Sequence, residues 1–312
     1  MQRGIPARII QTGRSRDLTL AQRASTASLK CLNPDFEYRF FDDDDVIAFI
    51  EDEFPEYRQV FDGFPFPIQK YDFFRYLAVF RLGGFYFDTD VFFATGLHEL
   101  LAHRCVFPFE ELTLSRYLRR QYKMDWEIGN YGFGAAPGHP FLDVVIQNCI
   151  RAQQDPEWVK PLMRGIPRLF RSEFYVLNTT GPGLVSRTLA ENPELAQQVT
   201  ILFPDDVCDE TTWHHFGNLG LHIQEGSWRS EGSYLRRRLA NLWEVRARRR
   251  LLRESLARGK SRSLPIAEDG GRMAEPKQTP NAQRSTPNVT GQKSAAYVET
   301  TARQGGRVRG EV

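Results

Sequence analysis

Cysteine is scarce in this chain. There are four in 312 residues, Cys31, Cys105, Cys149 and Cys208, and no two form a Cys-x-x-Cys pair. That spacing excludes a zinc-finger framework and a dense disulfide scaffold, and leaves reduced core thiols as the expectation. Long apolar runs are missing too. None reaches the roughly 18–20 residues that span a bilayer, and the first residues hold no apolar signal segment, so a cytoplasmic protein is expected. Net charge is also small, at +2, too little to imply nucleic-acid binding by the whole molecule. What remains suits a packed core: 41% of residues are hydrophobic, and 23 are phenylalanine. The length fits one large domain, or one domain with an appendage.

The most informative stretch is Tyr71 to Val91, YDFFRYLAVFRLGGFYFDTDV. It predicts a helix, a two-glycine turn and a short aromatic strand that ends in two carboxylates. Asp72 and Arg75, three apart, share one helix face, while Leu77, Phe80 and Leu82 would hold that helix against a core. Gly83 and Gly84 permit an abrupt reversal. Phe85-Tyr86-Phe87 favours a strand. Residues two apart in an ideal strand point the same way, so Asp88 and Asp90 can face one ligand. Two anionic oxygens suit a hard divalent cation, Mg²⁺ or Mn²⁺, which also takes phosphate oxygens. Open α/β sheets bind ligands beyond the carboxyl ends of their strands, where this pair falls.

The pattern Asp72-x-x-Arg75-Tyr76 followed by Gly83-Gly84-x-Tyr86-x-Asp88-x-Asp90 resembles the DXD-containing glycosyltransferases of family 32. That family includes fungal α-mannosyltransferases and is related to the glucosyltransferase domains of clostridial toxins. The resemblance implies an α/β, GT-A type, Rossmann-like nucleotide-sugar-binding fold and a retaining transfer from a UDP- or GDP-sugar. It also implies Mn²⁺ or Mg²⁺ held at Asp90, with Asp88 on the donor or the metal, and a sugar gripped by Asp72 and Arg75 with Tyr76 beside them. Further matches follow along the chain. Ile5, Pro6, Ile9, Gln11 and Thr12 repeat a family segment of the nucleotide pocket, with Ile10 where a histidine is usual. Asn130 stands where the family places an asparagine reaching the donor sugar. Thr180-Gly181-Pro182 matches a Thr-Gly-Pro motif on the donor side. His222 to Trp228 reproduces a His-x-x-x-Gly-Ser-Trp ending, which implies that His222 completes the metal shell while Ser227 and Trp228 donate to the diphosphate. Gln224 replaces a common tryptophan.

Elsewhere the sequence predicts a strand over 5–12, a helix over 19–32 and a strand over 36–41. Asp42 to Asp45 reads as the acidic start of the next helix. A helix should begin near Pro67 or Ile68. Past Val91, a strand extension and a short helix around Leu97–Leu101 are expected, then a strand within 104–114. Asn130 to Pro140 reads as a glycine-rich loop close to a ligand or another backbone. A helix over 141–153, another from about Leu184, and a strand at 201–204 complete the domain, with His214 and His215 read as bystanders.

The domain is expected to span 1–232. Beyond it, twelve Lys or Arg stand against three acids between Arg229 and Arg262. Leu235, Leu239, Leu242, Val245, Leu252 and Leu256 keep helical spacing, interrupted by Arg249. This basic helix, 233–262, either contacts an anionic membrane surface or packs on the domain with a solvated basic face. Residues 263–312 are Pro-, Gly-, Ser- and Thr-rich and are expected to be disordered. The functional expectation is a transferase using a glycan, glycolipid or protein acceptor, without nucleic acid. A silent carbohydrate- or nucleotide-binding module and a Mg²⁺-dependent phosphohydrolase are the competing readings.

Overall fold

The structure is a computed structural model, which describes residues 4–223 and 234–259. The chain divides into two units, Met1–Gly271 and Arg272–Val312, and every described residue lies in the first. Ser227, Trp228 and Gln224 lie outside the described residues, as does the tail from 263. Along the chain run β1 (Arg8–Thr12), α1 (Leu20–Leu32), β2 (Glu37–Phe41), α2 (Asp43–Glu53), α3 (Arg58–Asp62), α4 (Pro67–Leu82), β3 (Gly84–Phe87) and β4 (Val91–Phe93). Then come β5 (Cys105–Leu112), β6 (Trp126–Ile128), β7 (Gly132–Ala135), α5 (Pro140–Gln154), α6 (Pro156–Met163), α7 (Arg171–Thr179), α8 (Pro182–Glu191) and α9 (Pro193–Ala196). The last are β8 (Thr200–Leu202), β9 (His215–Phe216), β10 (Gly220–His222) and α10 (Tyr234–Gly259).

The main sheet has the order β2-β1-β3-β7-β5-β6, with β8 beside β5. β2, β1 and β3 are mutually parallel; β7 then runs antiparallel to β3. The chain leaves β1 outward to β2 and returns to the other side of β1 as β3. Strand order therefore reverses beside β1, and a crevice opens beyond the carboxyl ends of β1 and β3. A second, antiparallel sheet, β4-β10-β9, begins directly after that crevice.

Both faces of the main sheet are buried, and alternation decides which residue serves which face. Ile10, Tyr86, Phe107 and Phe133 pack with α4 and α5 residues in one core. Ile9, Phe85, Phe87 and Val106 pack on the other side with Leu29 of α1 and Phe216. The substitution of Ile10 for the family's histidine thus places an apolar side chain where no solvent reaches it (0% exposed).

Local chemistry explains the helix starts. Thr19 and Gln22 form a reciprocal cap on α1, and Asp42 caps α2 through Asp45 N–H as its acidic run implied. Pro67 opens α4. At the α4–β3 turn Gly84 has φ +109°, and a Cβ there would lie 2.7 Å from the Arg8 carbonyl oxygen.

One expectation is corrected. Residues 132–135 form strand β7 inside the sheet rather than a loop. The glycines serve close approach to another strand: a Cβ on Gly132 or Gly134 would sit 2.6 or 2.4 Å from the rings of Phe87 or Phe85. Among the described residues no helix is long and apolar enough to cross a membrane.

Candidate active site

Asp88, Thr89 and Asp90 do not extend β3. They form a tight turn between β3 and β4, with Val91 N–H donating to the Asp88 carbonyl at 3.3 Å. The expected same-side strand geometry is therefore replaced by a turn, yet the carboxylates still converge. Asp88 stays at the end of β3, its N–H donating to the Tyr131 carbonyl at 2.7 Å. Asp90 meets β10, where His222 pairs with Val91 in register. His222 Nε2 lies 3.4 Å from Asp90 Oδ1. One ligand atom each from Asp88, Asp90 and His222 falls within 4.8 Å of the others. Two carboxylates and an imidazole at that spacing fit a divalent cation, and the nitrogen ligand suits Mn²⁺ better than Mg²⁺.

Behind this triad is a buried polar lattice. Asp72 and Arg75 are 4% and 3% exposed, so theirs is not a surface pair. Arg75 Nη2 lies 3.2 Å from Asp72 Oδ1 and 3.3 Å from Asp88 Oδ1. Its Nη1 donates to the Asn130 carbonyl at 2.8 Å, and the guanidinium lies over the Tyr86 ring, 4.6 Å from its centre. Asp72 accepts from Asn130 Nδ2 at 3.0 Å and from Thr180 Oγ1 at 2.8 Å. The Tyr86 hydroxyl donates to Asp88 at 2.7 Å. Burial raises the pKa of both Asp72 and Asp88, and Arg75 opposes that rise; Asp90 adds to it for Asp88. For Arg75 burial disfavours the charge, but Asp88, Tyr86 and Asp72 outweigh it and the guanidinium stays protonated.

The lattice separates lining residues from supporting ones. A cavity of about 1410 Å³ opens over the triad, lined by Thr12, Asp72, Arg75, Asp88, Asp90, Asn130, Gly181 and His222 among others. Gln11, Tyr76 and Thr180 are not among the lining residues, and each is 0% exposed. Gln11 accepts from Thr26 and Tyr38 and reaches the Asp88 carbonyl at 3.3 Å. Tyr76 donates to the Thr180 carbonyl at 2.7 Å and accepts from Asn130 at 2.9 Å. These three, expected as donor contacts, stand behind the lining residues, with their side-chain polar atoms engaged within the fold.

Other residues near the triad carried no sequence motif. Tyr131, next to Asn130, stacks on His222 with ring centres 4.3 Å apart. A second polar wall faces the same cavity: Glu110, Glu111, Glu127, His214, Glu244 and Arg248. His214, read as a bystander, contacts Glu110 at 3.1 Å and Glu111 at 3.6 Å, with left-handed backbone (φ 62°). Burial pushes its pKa down, but Glu110 and Glu111 raise it overall. Burial and then the neighbouring Glu111 push Glu127 up to about 7. Arg248, from α10, pairs with Glu111 and with Glu244. These groups come from β5, β6, α10 and the turn before β9, which lie far apart in the sequence.

Residues 21–107 match the family model described as "Glycosyltransferase sugar-binding region containing DXD motif". The matched region includes the stretch from Asp72 to Asp90. Among curated proteins, the chain is 29% identical over 144 residues to inositol phosphoceramide mannosyltransferase 2 of Schizosaccharomyces pombe, covering 46% of this chain and 38% of that protein. It is 30% identical over 147 residues to inositol phosphoceramide mannosyltransferase 3 of the same yeast, covering 47% of this chain and 38% of that protein. The chain thus spans under half the length of the curated relatives it matches. Among solved structures, one titled "PaToxG Glycosyltransferase" aligns with a TM-score of 0.42 at 15% identity, over 63% of this chain and 76% of that one.

Proposed function

We propose that this protein is a metal-dependent, retaining glycosyltransferase of GT-A type that moves a hexose from a nucleotide-sugar to a hydroxyl acceptor. The observation that carries the reading is the convergence of Asp88, Asp90 and His222 at the floor of a large cavity, within 4.8 Å, inside a chain that contains the sugar-binding region. Asp88, Asp90 and His222 would hold Mn²⁺ or Mg²⁺, and a cation there would take diphosphate oxygens and offset the charge that grows on the leaving group.

The chain's own groups do the rest. Arg75, fixed between Asp72 and Asp88, opposes the rise that burial imposes on both carboxyl groups and orients them. Asp72, Asn130 and Arg75 face the sugar, and Thr12 and Gly181 border the nucleotide. The cavity exceeds the roughly 300–1,000 Å³ of a single small-molecule pocket, so a donor and an acceptor can sit together. In a retaining transfer the acceptor attacks the face from which the diphosphate leaves, so no dedicated base is assigned. The yeast relatives' names favour a mannosyl donor and a phosphoinositol-bearing lipid acceptor.

The test is donor hydrolysis and binding by the purified chain across UDP- and GDP-sugars, with and without Mn²⁺. Metal-dependent turnover of one donor is expected, lowered at least about 100-fold in Asp90→Asn with the fold intact. An Asp90→Asn protein that stays active and metal-responsive would sink the assignment. Absence of binding to every donor would leave only a silent module on this fold.

A further inference from the structure

Helix α10 packs on the domain with the wrong face for an ordinary amphipathic helix. Its buried positions recur every fourth residue, at Ala240, Glu244 and Arg248, which are 0%, 7% and 9% exposed. That seam is held by ion pairs, Arg248 with Glu111 and Glu244, and by Ala240 and Trp243 against Phe170 and Phe174. The apolar stripe points the other way. Leu239, Leu242, Val245 and Leu256 are 44–48% exposed. A single exposed leucine is ordinary, but three leucines and a valine on one helix stripe form a surface that water does not favour. Arg238, Arg246 and Arg253 are exposed and stand three or four residues from members of the stripe, so they share its side of the helix, where Arg249 is already paired with Glu210.

We propose that this outward face of α10 docks on an anionic lipid surface. Charge decides among the occupants. A second copy would bring arginines against arginines. The chain from 260 onward carries nine basic residues and five acidic ones, so it does not complement the face either. Anionic headgroups do, while the leucines enter the headgroup–acyl boundary. Val245 and Arg249 of the same helix also line the cavity. Docking would therefore set the cavity mouth beside the lipid, where a lipid-borne acceptor is delivered without leaving the membrane. The docking itself does not rest on the transfer reaction; only this last consequence does.

The experiment is flotation of the full-length chain with phosphatidylcholine vesicles and with vesicles containing phosphatidylglycerol, at low and high salt. At least about tenfold greater partition onto the anionic vesicles is expected, lost at high salt. Leu239→Ser/Leu242→Ser and, separately, Arg246→Glu/Arg253→Glu should each reduce binding about tenfold or more, with unfolding midpoints unchanged. Equal binding to neutral and anionic vesicles, no binding, or binding indifferent to both variants would overturn the proposal. So would a concentration-dependent dimer that Leu239→Ser/Leu242→Ser abolishes, because the stripe would then belong to a second copy. Donor hydrolysis is measured in parallel. Vesicle binding without hydrolysis would leave docking standing while the reaction reading failed.

Discussion

Replacing Arg75 with leucine isolates the least exposed charge of the site. The guanidinium, 3% exposed, neutralises Asp72 at 3.2 Å and Asp88 at 3.3 Å and donates to the Asn130 carbonyl at 2.8 Å. An exposed pair of this type would be worth roughly 0–1 kcal/mol. Here its removal leaves the buried Asp72 and the partly buried Asp88, whose side chains are 6% and 28% exposed, without their cation, and breaking a single buried pair costs about 3–5 kcal/mol. A loss of about 4 kcal/mol at pH 8, measured by urea unfolding, is expected. It should shrink as pH falls. Asp72 and Asp88 already sit above the ordinary carboxylate pKa, because burial raises them. Without Arg75 they rise further, so the folded variant binds more protons than the unfolded chain. Its relative stability is then greatest in acid and falls as pH climbs from the usual carboxylate range. Added Mn²⁺ at pH 8 should restore more stability to the variant than it adds to the unsubstituted protein, since Asp88 then lacks its other cation. A cost under about 1 kcal/mol with no pH dependence would refute the claim that this pair is buried and binds the two carboxylates together.

Three further outcomes follow from the same geometry. Glu127, raised to about 7, holds a proton in the folded state between its unfolded pKa and neutrality, so it lowers stability as pH rises through that window. Glu127→Gln should therefore leave stability at pH 5 nearly unchanged and raise it by on the order of 2 kcal/mol at pH 8, read by chemical denaturation; no difference between the two pH values would contradict the burial and the neighbouring Glu111 as causes. Gly134→Val would drive side-chain carbons into the Phe85 ring, 2.4 Å from the ideal Cβ, and should cost about 1–3 kcal/mol in thermal unfolding, whereas an unaffected midpoint would mean that β7 is not packed in the sheet as described. His222→Ala should abolish the Mn²⁺-induced rise in unfolding midpoint while leaving the metal-free midpoint within a few degrees, and an unchanged Mn²⁺ response would remove His222 from the ligand set.

The elements that local chemistry dictates were legible in the chain itself. Pro67 sets a helix start because its φ is fixed. Asp42 caps α2 because a short side chain can satisfy the free amides there. Gly83-Gly84 turns because other residues cannot follow that path, and the fixed spacing from Asp72 to Asp90 pointed to the candidate site and to the family whose model the chain matches. Chain order could not supply what depends on non-local packing. The glycines of β7 serve close approach to Phe85 and Phe87, a reason visible only once β3 lies beside them, so the segment looked like a loop. Gln11, Tyr76 and Thr180 matched family positions, yet a motif does not say whether a residue lines a cavity or braces one that does; hydrogen bonds across 77–108 residues engage these three side chains behind the cavity wall. His222 reached Asp90 through the β4–β10 register, and His214 met Glu110 and Glu111 only when β5 and β9 came together. Helix α10 is the sharpest case. Its periodicity showed a leucine stripe, but which side faced the domain was settled by the Glu111–Arg248–Glu244 ion pairs, because a buried charge unpaired costs more than a few half-exposed leucines.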